Sequence, residues 1–206
     1  MHKIGIIGAG HIGATTARLF VEAGHEVALS NSRDPETLAG LVQELGPRAQ
    51  ALAPEAAARW GDLVLLAVPW RNPEALPPPD AVAGKIVIDA MNPYGPGGGV
   101  EDLGTSSSSE ETRKRLPGAR IVKAFNTIWS THLAERGRKD LPLGDRHAIF
   151  VAGDDQEAKK TVMTLIEAIG FAPVDTGSLA EGGRRQQPNT ALYNKVLTQR
   201  EAQGLL

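Results

Sequence analysis

Short apolar runs alternate with segments of helical periodicity along most of the chain. The first run, "KIGIIG", precedes a helix predicted over about residues 10–23. "HEVALS" precedes the predicted helix "DPETLAGLVQELG", which Gly46 ends. "DLVLLAV" (Asp62–Val68) is almost continuously apolar, as in a strand buried on both faces, and "GKIVIDA" and "ARIVKAF" are two further strands. The alternation predicts βαβ units in an α/β fold: a Rossmann-type, doubly wound, mostly parallel sheet with helices on both faces.

The chain after Phe125 continues the alternation with different details. "RHAIFVAGD" and "FAPVDTG" predict strands, and "DDQEAKKTVMTLIEAIG" between them predicts an amphipathic helix. The apolar positions of that helix that we expect in the core are Ala158, Val162, Leu165, Ile166 and Ile169. "QQPNTALYNKVLTQREAQGLL" predicts mostly a closing helix that docks on its own chain or on a second subunit. We therefore expect a Rossmann domain over residues 1–125 and a small α/β C-terminal part over residues 126–206.

Composition narrows the classes of function. Charged residues make up 22% of the sequence and the formal net charge is -2, so there is no electrostatic basis for binding nucleic acid or an anionic membrane. Cysteine is absent, which excludes disulfides and thiolate metal sites and fits the expected cytoplasmic location. The five histidines show no metal-ligand spacing. No apolar run is long enough to span a bilayer, and the glycine-broken N-terminus predicts a strand, not a signal peptide.

The segment "GAGHIG", residues 8–13, has the spacing G-x-G-x-x-G. It follows a predicted strand, opens a predicted helix and precedes a second strand, which is the context in which this spacing binds a dinucleotide. Gly8 allows the tight turn, Gly10 lets a pyrophosphate approach the backbone, and Gly13 lets the helix pack on the strand. We expect the amides of His11 and Ile12 to face the phosphates at the positive end of the helix. The alternative is a glycine turn in a fold that binds nothing.

The end of the second strand, "LSNSRDP", indicates which dinucleotide binds. NAD sites carry an acidic residue about 20 residues after the glycine motif, where it bonds to the ribose 2′-hydroxyl. Here that place holds Asn31, Ser32 and Arg33, so nothing repels a 2′-phosphate. The Ser32 hydroxyl can donate to the phosphate, and Arg33 can bind it bidentately and lie against the adenine. The sequence predicts NADP(H) over NAD(H), unless Arg33 is only a solvated residue at the start of a helix.

Three further strands end in proline, asparagine or aromatic residues, in "AVPW", "DAMNPY" and "KAFNT". Ligands of open α/β sheets lie beyond the carboxyl ends of the strands. We expect Val68, Pro69 and Trp70 to line one face of the nicotinamide. Asn92 and Asn126 would bond to its carboxamide or to a second substrate. Trp70, Asn92 and Asn126 are the residues predicted to set the catalytic geometry; ordinary turn chemistry is the alternative.

No acid–base constellation appears in the sequence. Lys123 and His132 are potential proton donors, but a structural or exposed position is favoured for each. This absence suits hydride transfer to a flavin-like ring, which depends on orientation and stacking. The segment Asn92–Glu110 contains "PYGPGGG" and four consecutive serines and is long for a compact domain, which favours a functional or disordered loop.

Six segments follow one another as in a known family: "KIGIIGAGHIG", "GHEVALSNSR", "LLAVPW", "GKIVIDAMNPY", "RIVKAFNT" and "VAGDDQEAKKTVMTLIEAIGFAPVDTGSL". From Lys3 to about Leu179 the chain resembles NADP-dependent reductases of the deazaflavin coenzyme F-420. The cytosolic domains of transmembrane metalloreductases are similar. The resemblance implies a Rossmann domain with a small C-terminal part, and an acceptor ring bound over the nicotinamide between them. The glycine- and serine-rich segment after Asn92 departs from the family pattern; it would cover the acceptor site or select another acceptor.

The resemblance also implies positions along the cofactor. By this resemblance the pyrophosphate would be held by Ala9, Gly10, His11 and Ile12, and the 2′-phosphate would lie near Ser32, Arg33 and Thr37. Trp70 and Tyr94 would lie along the cofactor, and Asn126 and Thr127 would lie near the nicotinamide. A homodimer is expected from the family and from the predicted C-terminal helix.

The expected function is therefore hydride transfer between C4 of the nicotinamide of NADP(H) and a flavin-like acceptor. Coenzyme F-420 is the first candidate, followed by FMN, FAD or riboflavin. One alternative is an NADP(H)-binding sensor or an electron-transfer subunit without turnover of its own. A small-imine or 2-hydroxy-acid reductase ranks third, because those enzymes usually bring a lysine base or a large all-helical second domain.

Overall fold

A single eight-stranded sheet extends through the whole chain in the computed structural model, which describes all 206 residues. The strands are β1 (Lys3–Ile7), β2 (Glu26–Ser30), β3 (Ala49–Ala51), β4 (Leu63–Leu66), β5 (Ile86–Asp89), β6 (Arg120–Lys123), β7 (Ala148–Gly153) and β8 (Ala172–Gly177). Their order is β3-β2-β1-β4-β5-β6-β7-β8, and only β6 and β7 pair antiparallel. The predicted Rossmann-type, mostly parallel α/β sheet is confirmed.

Nine α-helices accompany the strands. They are α1 (His11–Glu22), α2 (Ala39–Leu45), α3 (Pro54–Trp60), α4 (Pro79–Val82), α5 (Ser108–Arg115), α6 (Ser130–Glu135), α7 (Gln156–Ala168), α8 (Glu181–Arg185) and α9 (Gln199–Gln203). The Asp155 carboxylate caps α7 by accepting from the backbone N–H of Ala158 at 2.9 Å. Gly46, at φ 80°, ends α2 as predicted. None of these helices is long and apolar enough to cross a membrane.

Both faces of the sheet carry a hydrophobic core. Leu63 and Leu65 of β4 belong to the cluster covered by α1, α6 and α7, while Val64 and Leu66 belong to the cluster covered by α3 and α4. This division explains the continuous apolar run of β4, because both faces of the strand are buried. The positions of α7 predicted to be in the core, Ala158, Val162, Leu165, Ile166 and Ile169, are all at most 2% exposed.

The chain after Phe125 adds its strands to the same sheet. β7 pairs with β6 and β8 with β7, so the sheet is continuous across the expected boundary between residues 1–125 and 126–206. Phe125 lies at this turn with φ 65°, an unusual conformation for a bulky residue, and its side chain is fully buried. The packing of the buried ring stabilises this unusual backbone conformation in the turn that follows β6.

The prediction of a long closing helix is wrong. Of the segment from Gln186 onward only α9 is helical; turns and bends occupy residues 186–194, and residues 195–197 are irregular. Pro188 cannot donate a helical hydrogen bond, and Asn189 and Asn194 have φ of 67° and 55°. These residues bend the segment back toward the carboxyl edge of the sheet, where the Asn194 N–H donates to the Thr127 carbonyl at 3.0 Å.

The predicted loop Asn92–Glu110 ends in a helix instead of continuing through the serines. α5 begins at Ser108, and Ser107 and Glu110 form a reciprocal capping box. Ser107, Ser108 and Ser109 are fully buried. Composition favoured a loop here because glycine and serine dominate, yet the S-x-x-E spacing marks the helix start. The short elements β3, α3, α4, α6 and α8 were not predicted.

Candidate functional site

A continuous groove runs along the carboxyl ends of the central strands. It has three parts: a wide cleft of about 850 Å³, a middle cavity of about 370 Å³ and an end cavity of about 180 Å³. The wide cleft and the middle cavity share Ala67, Val68 and Pro69. The middle and end cavities share Ile12, Ala90 and Asn92. The groove therefore passes over β2, β1, β4, β5 and β6 in their order in the sheet.

The glycine motif forms the floor between the wide cleft and the middle cavity. A Cβ on Gly8 would lie 2.5 Å from the Ala67 carbonyl oxygen, and one on Gly13 would lie 1.9 Å from the Gly8 carbonyl oxygen. These two glycines permit the packing of the turn itself. Gly10 faces open space, because a Cβ added there would have no other atom within 4 Å, and α1 starts after it without a side-chain cap. The first amides of α1 thus remain open to an anion.

The end of β2 supplies the polar side of the wide cleft. Asn31, Ser32 and Arg33 all line it. Asn31 is fixed because its amide donates to the Thr37 hydroxyl at 2.9 Å and its oxygen accepts from the Arg33 backbone N–H at 2.9 Å. Arg33 is exposed and forms none of the ion pairs of the protein. Its guanidinium is free for a ligand, whereas Thr37 supports Asn31 from outside the lining.

Two segments that line the wide cleft were not predicted from the sequence to be part of the site. Residues 53–55 at the start of α3 and the proline-rich residues 72–78 form its opposite wall. The prolines were visible in the sequence, but nothing in their spacing indicated that the segment lies beside the glycine motif.

Trp70 forms a fixed wall of the middle cavity. Only 3% of the residue is exposed. Its indole N–H donates to the Glu101 carboxylate at 2.9 Å, and the Arg115 guanidinium lies 4.5 Å from the ring centroid. Glu101 belongs to the glycine-rich segment after Asn92, so this hydrogen bond ties that segment to the rim of the cavity. The lining of the middle cavity also contains the other predicted residues of this region: His11, Ile12, Val68, Pro69, Asn92 and Tyr94.

Asn92 and Asn126 bond to each other at the boundary of the end cavity. Asn92 Nδ2 donates to the Asn126 carbonyl at 2.9 Å, and Asn126 Nδ2 donates to Asn92 Oδ1 at 3.1 Å. Asn126 Nδ2 also donates to the Gln186 carbonyl at 2.7 Å, which fixes the orientation of this amide. Asn126 Oδ1 is buried and has no partner. The pair therefore offers a ligand an oxygen acceptor and not an N–H donor.

Tyr193 is a site residue that sequence reasoning missed. It lines the end cavity, and its hydroxyl lies 3.1 Å from the Tyr94 hydroxyl and 3.3 Å from Asn92 Nδ2. Burial, with a smaller effect of the bond to Tyr94, raises the pKa of Tyr193 above its usual value. No local signal points to this residue, because it reaches the site only through the turns that replace the expected closing helix.

Lys123 and Asp89 form a buried ion pair beneath the site. Both are fully buried, and Lys123 Nζ lies 3.4 Å from Asp89 Oδ2. Lys123 Nζ also donates to the Met91 carbonyl, and Asp89 Oδ1 accepts from the Met91 N–H at 3.0 Å. Asp89 Oδ2 further accepts from Ser109 and Thr112 of α5 at 2.8 and 3.1 Å. The pair thus fixes the backbone that leads into Asn92.

Burial lowers the pKa of Lys123, with Asp89 opposing that effect. Lys123 is nevertheless part of the scaffold, because it does not line the groove. His132 also lies outside the groove, on α6 beside His147. Thr127 is buried behind the end cavity and does not line it. Of the predicted site residues, only Thr37 and Thr127 are absent from the groove lining.

The chain is similar to known NADP-dependent oxidoreductases. The sequence profile of the family "NADP oxidoreductase coenzyme F420-dependent" matches residues 3–93. Metalloreductase STEAP3 of Rattus norvegicus is 36% identical over 180 residues, which are 86% of this chain and 34% of the relative. The chain spans little more than a third of the length of the curated relatives it matches.

Two crystal structures match nearly the whole chain. Hypothetical protein SMa0349 of Sinorhizobium meliloti has a TM-score of 0.83 and 35% identity, with 96% of each chain covered. A protein of Arthrobacter sp. FB24 assigned as an F-420-dependent NADP reductase has a TM-score of 0.78 and 28% identity. This match covers 96% of this chain and 100% of the other. The correspondence thus includes β7 and β8 as well as the glycine motif.

Proposed function

This chain belongs to the family of NADP oxidoreductases of the coenzyme F420-dependent type, and on that premise we propose that it transfers a hydride between NADP(H) and a flavin-like acceptor. The observation that carries the proposal is the continuous groove, which has an anion-binding end and an end walled by aromatic and amide side chains. The family supports the predictions of NADP(H) binding and of an NADP-dependent oxidoreductase. The identity of the acceptor is the part that we propose.

The wide cleft fits the phosphate groups of NADP(H). The uncapped start of α1, opposite the open side of Gly10, would hold the pyrophosphate. The free guanidinium of Arg33 would bind the 2′-phosphate together with the Ser32 hydroxyl, while Thr37 keeps Asn31 in place. The end of β2 contributes no acidic side chain to the lining, and the two carboxylates of the cleft, Glu55 and Glu74, lie on its opposite wall. These features support NADP(H) over NAD(H).

The middle cavity would position the nicotinamide, which when bound supplies the hydride. Val68, Pro69 and the buried Trp70 would form its wall. Asn126 Oδ1, buried and without a partner, would accept the carboxamide N–H because the amide hydrogens of Asn92 and Asn126 are already committed. The residues of the chain thus orient and desolvate the reacting centre without serving as an acid or a base.

The end cavity would receive the acceptor ring. Coenzyme F-420 is the first candidate because the similar Arthrobacter protein is assigned to that coenzyme, and free FMN, FAD or riboflavin follow. The similarity to metalloreductase STEAP3 makes a ferric chelate worth including in an assay. A homodimer and a cytoplasmic location stay predictions; light scattering of the purified protein measures the subunit count.

Steady-state oxidation of NADPH tests the proposal. The purified chain is assayed with the deazaflavin, riboflavin, FMN, FAD and a ferric chelate in separate reactions, and NADPH binding is measured in parallel. We expect turnover with at least one ring acceptor. Tight NADPH binding without turnover on any of them would contradict the proposal and favour an NADP(H)-binding sensor or a subunit that depends on a partner.

Trp70 provides a second test, of the geometry. Replacing Trp70 with Ala opens the wall of the middle cavity, so we expect turnover to fall about tenfold while the Kd of NADPH changes less. Trp60 is the matched control, because it ends α3 outside the groove and Trp60→Ala removes a ring of the same size. Equal losses in turnover and NADPH affinity for Trp70→Ala would remove its catalytic assignment.

A further inference from the structure

The two tyrosines of the chain bond to each other across the groove. The sequence contains only Tyr94 and Tyr193, which are 99 residues apart, and their hydroxyl oxygens lie 3.1 Å from each other. Tyr94 lines the middle cavity, Tyr193 lines the end cavity, and Asn92 lines both and donates to Tyr193 at 3.3 Å. The hydroxyl pair therefore lies where the proposed nicotinamide and acceptor positions meet.

One hydroxyl proton of this tyrosine pair is not used in a hydrogen bond within the protein. Both amide hydrogens of Asn92 and both of Asn126 are committed to oxygen atoms of the protein. The tyrosine pair has two hydroxyl protons, and the bond between the rings uses one. The other forms no hydrogen bond to an acceptor of the protein, because the remaining contacts of the Tyr193 hydroxyl, with the side chains of Asn92 and Asn194, are with donors. Within this hydrogen-bonded group it is the uncommitted donor.

An uncommitted hydroxyl suits a reaction in which an electron pair arrives on a conjugated ring. The pair is delocalised onto a carbonyl oxygen of that ring, and a preorganised donor at that oxygen lowers the barrier. A donor that stays neutral is required, and burial raises the pKa of Tyr193, so its hydroxyl keeps its proton at any ordinary pH. Asn92 and Tyr94 hold the hydroxyl oxygen in place from two sides.

We propose that the Tyr94–Tyr193 pair is the catalytic hydrogen-bond donor to a carbonyl oxygen of the acceptor. The substrates are then rings that carry a carbonyl conjugated to the atom that receives the hydride. This inference rests on the proposed function and adds to it a named donor and a substrate class. It also gives a role to the C-terminal turns, which bring Tyr193 to the groove.

The test uses Tyr193→Phe, Tyr94→Phe and the double variant, with riboflavin and the deazaflavin as probes. Phenylalanine keeps each ring and removes only its hydroxyl. We expect Tyr193→Phe to lower kcat about tenfold to hundredfold, with the Kd of NADPH changed less than about twofold. The double variant should lose little more than Tyr193→Phe alone, because the two hydroxyls act as one unit.

A second readout does not depend on turnover. Riboflavin binding to the protein saturated with NADP⁺ is titrated by quenching of flavin fluorescence, and Tyr193→Phe is expected to weaken it at least threefold. Thr190→Val is the matched control, because it removes a hydroxyl from the same segment outside the groove and should change neither readout. Thermal unfolding of every variant checks that the fold is intact.

The possible outcomes separate this inference from the proposed function. Unchanged kcat and riboflavin affinity in Tyr193→Phe overturn the inference while wild-type turnover preserves the proposed function. A parallel loss of NADPH affinity or of thermal stability overturns it in favour of a structural strap. If the wild type turns over no acceptor, the proposed function fails. The riboflavin titration then still tests the donor assignment, because equal riboflavin affinity in wild type and Tyr193→Phe overturns it.

Discussion

The two ends of the groove are built in different ways. The wide cleft depends on backbone amides and on exposed side chains from two short stretches, residues 8–13 and 31–33. The acceptor end, which is the end cavity where we propose that the acceptor ring binds, depends on buried and half-buried side chains from distant parts of the chain. Hydrogen bonds among Asn92, Asn126 and Tyr193 hold it. Phosphate binding needs only a helix terminus and a cation, which a short segment provides. Orienting a reacting ring needs a rigid wall, and only tertiary packing provides one.

The difference has an energetic consequence. Side chains of the wide cleft are exposed before a ligand binds, so their removal should change affinity and leave stability intact. The acceptor end is supported by the ion pair of the fully buried Lys123 and Asp89. Removing one member of this pair should therefore lower the free energy of unfolding more than it changes the affinity for a ligand. Substitutions at each end can break or sharpen this contrast.

Removing Lys123 should have the largest effect. In Lys123→Met the Asp89 carboxylate stays buried without its cation, and the Met91 carbonyl loses its donor. We expect the free energy of unfolding to fall by about 3–5 kcal/mol, measured by urea denaturation. The double variant Lys123→Met with Asp89→Asn removes the charge imbalance and should recover part of the loss. A loss below about 1 kcal/mol would show that the acceptor end is not supported in this way.

Removing Arg33 should affect affinity alone. We expect the Kd of NADP(H) in Arg33→Ala to rise tenfold to hundredfold, which is about 1.4–2.8 kcal/mol, because the 2′-phosphate loses its cation. The Kd of NAD(H) and the free energy of unfolding should stay close to wild type. Arg48→Ala is the control, since Arg48 is also exposed and unpaired but precedes β3, at the amino ends of the parallel strands and away from the groove. Unchanged NADP(H) affinity would contradict the assignment of the wide cleft.

The contrast also explains what the sequence could predict. The glycine motif and Asn31 to Arg33 act where they stand in the chain, so their positions in the groove followed from spacing. Asn92 and Asn126 were predictable because they follow β5 and β6, which are neighbours in a parallel sheet. Their mutual hydrogen bonds were not, since spacing gives the edge on which a side chain lies and not its partner.

Two parts of the acceptor end lay beyond sequence reasoning for physical reasons. The segment around Tyr193 was predicted to be helical, whereas Asn189 and Asn194 adopt left-handed conformations, which asparagine tolerates but which its presence alone does not predict. The serine run resembled a loop by composition, yet Ser109 donates to the buried Asp89. A polar side chain satisfied by a distant buried partner looks identical, in sequence, to one that faces water.

The smallest expected effect is a loss of stability at low pH, caused by a buried histidine near the segment that carries Tyr193. His147 precedes β7 and pairs in an isolated bridge with Thr198, on the segment that continues from Tyr193. Burial, more than the charge of Arg136, lowers the pKa of His147 from 6.5 to about 4. Between these values the unfolded chain binds a proton that the folded protein does not, so the free energy of unfolding falls as pH drops below 6.5.

The loss attributable to His147 should reach about 1–2 kcal/mol at pH 5 and be absent above pH 7. His147→Gln cannot titrate, so urea denaturation at pH 7, 6 and 5 should show a shallower decline than wild type. Hydrogen exchange should locate the difference at the Ala148 N–H, which donates to the Leu197 carbonyl at 2.8 Å, and not at the start of α1. An identical decline in both proteins would mean that the buried His147 does not cause the loss of stability in acid.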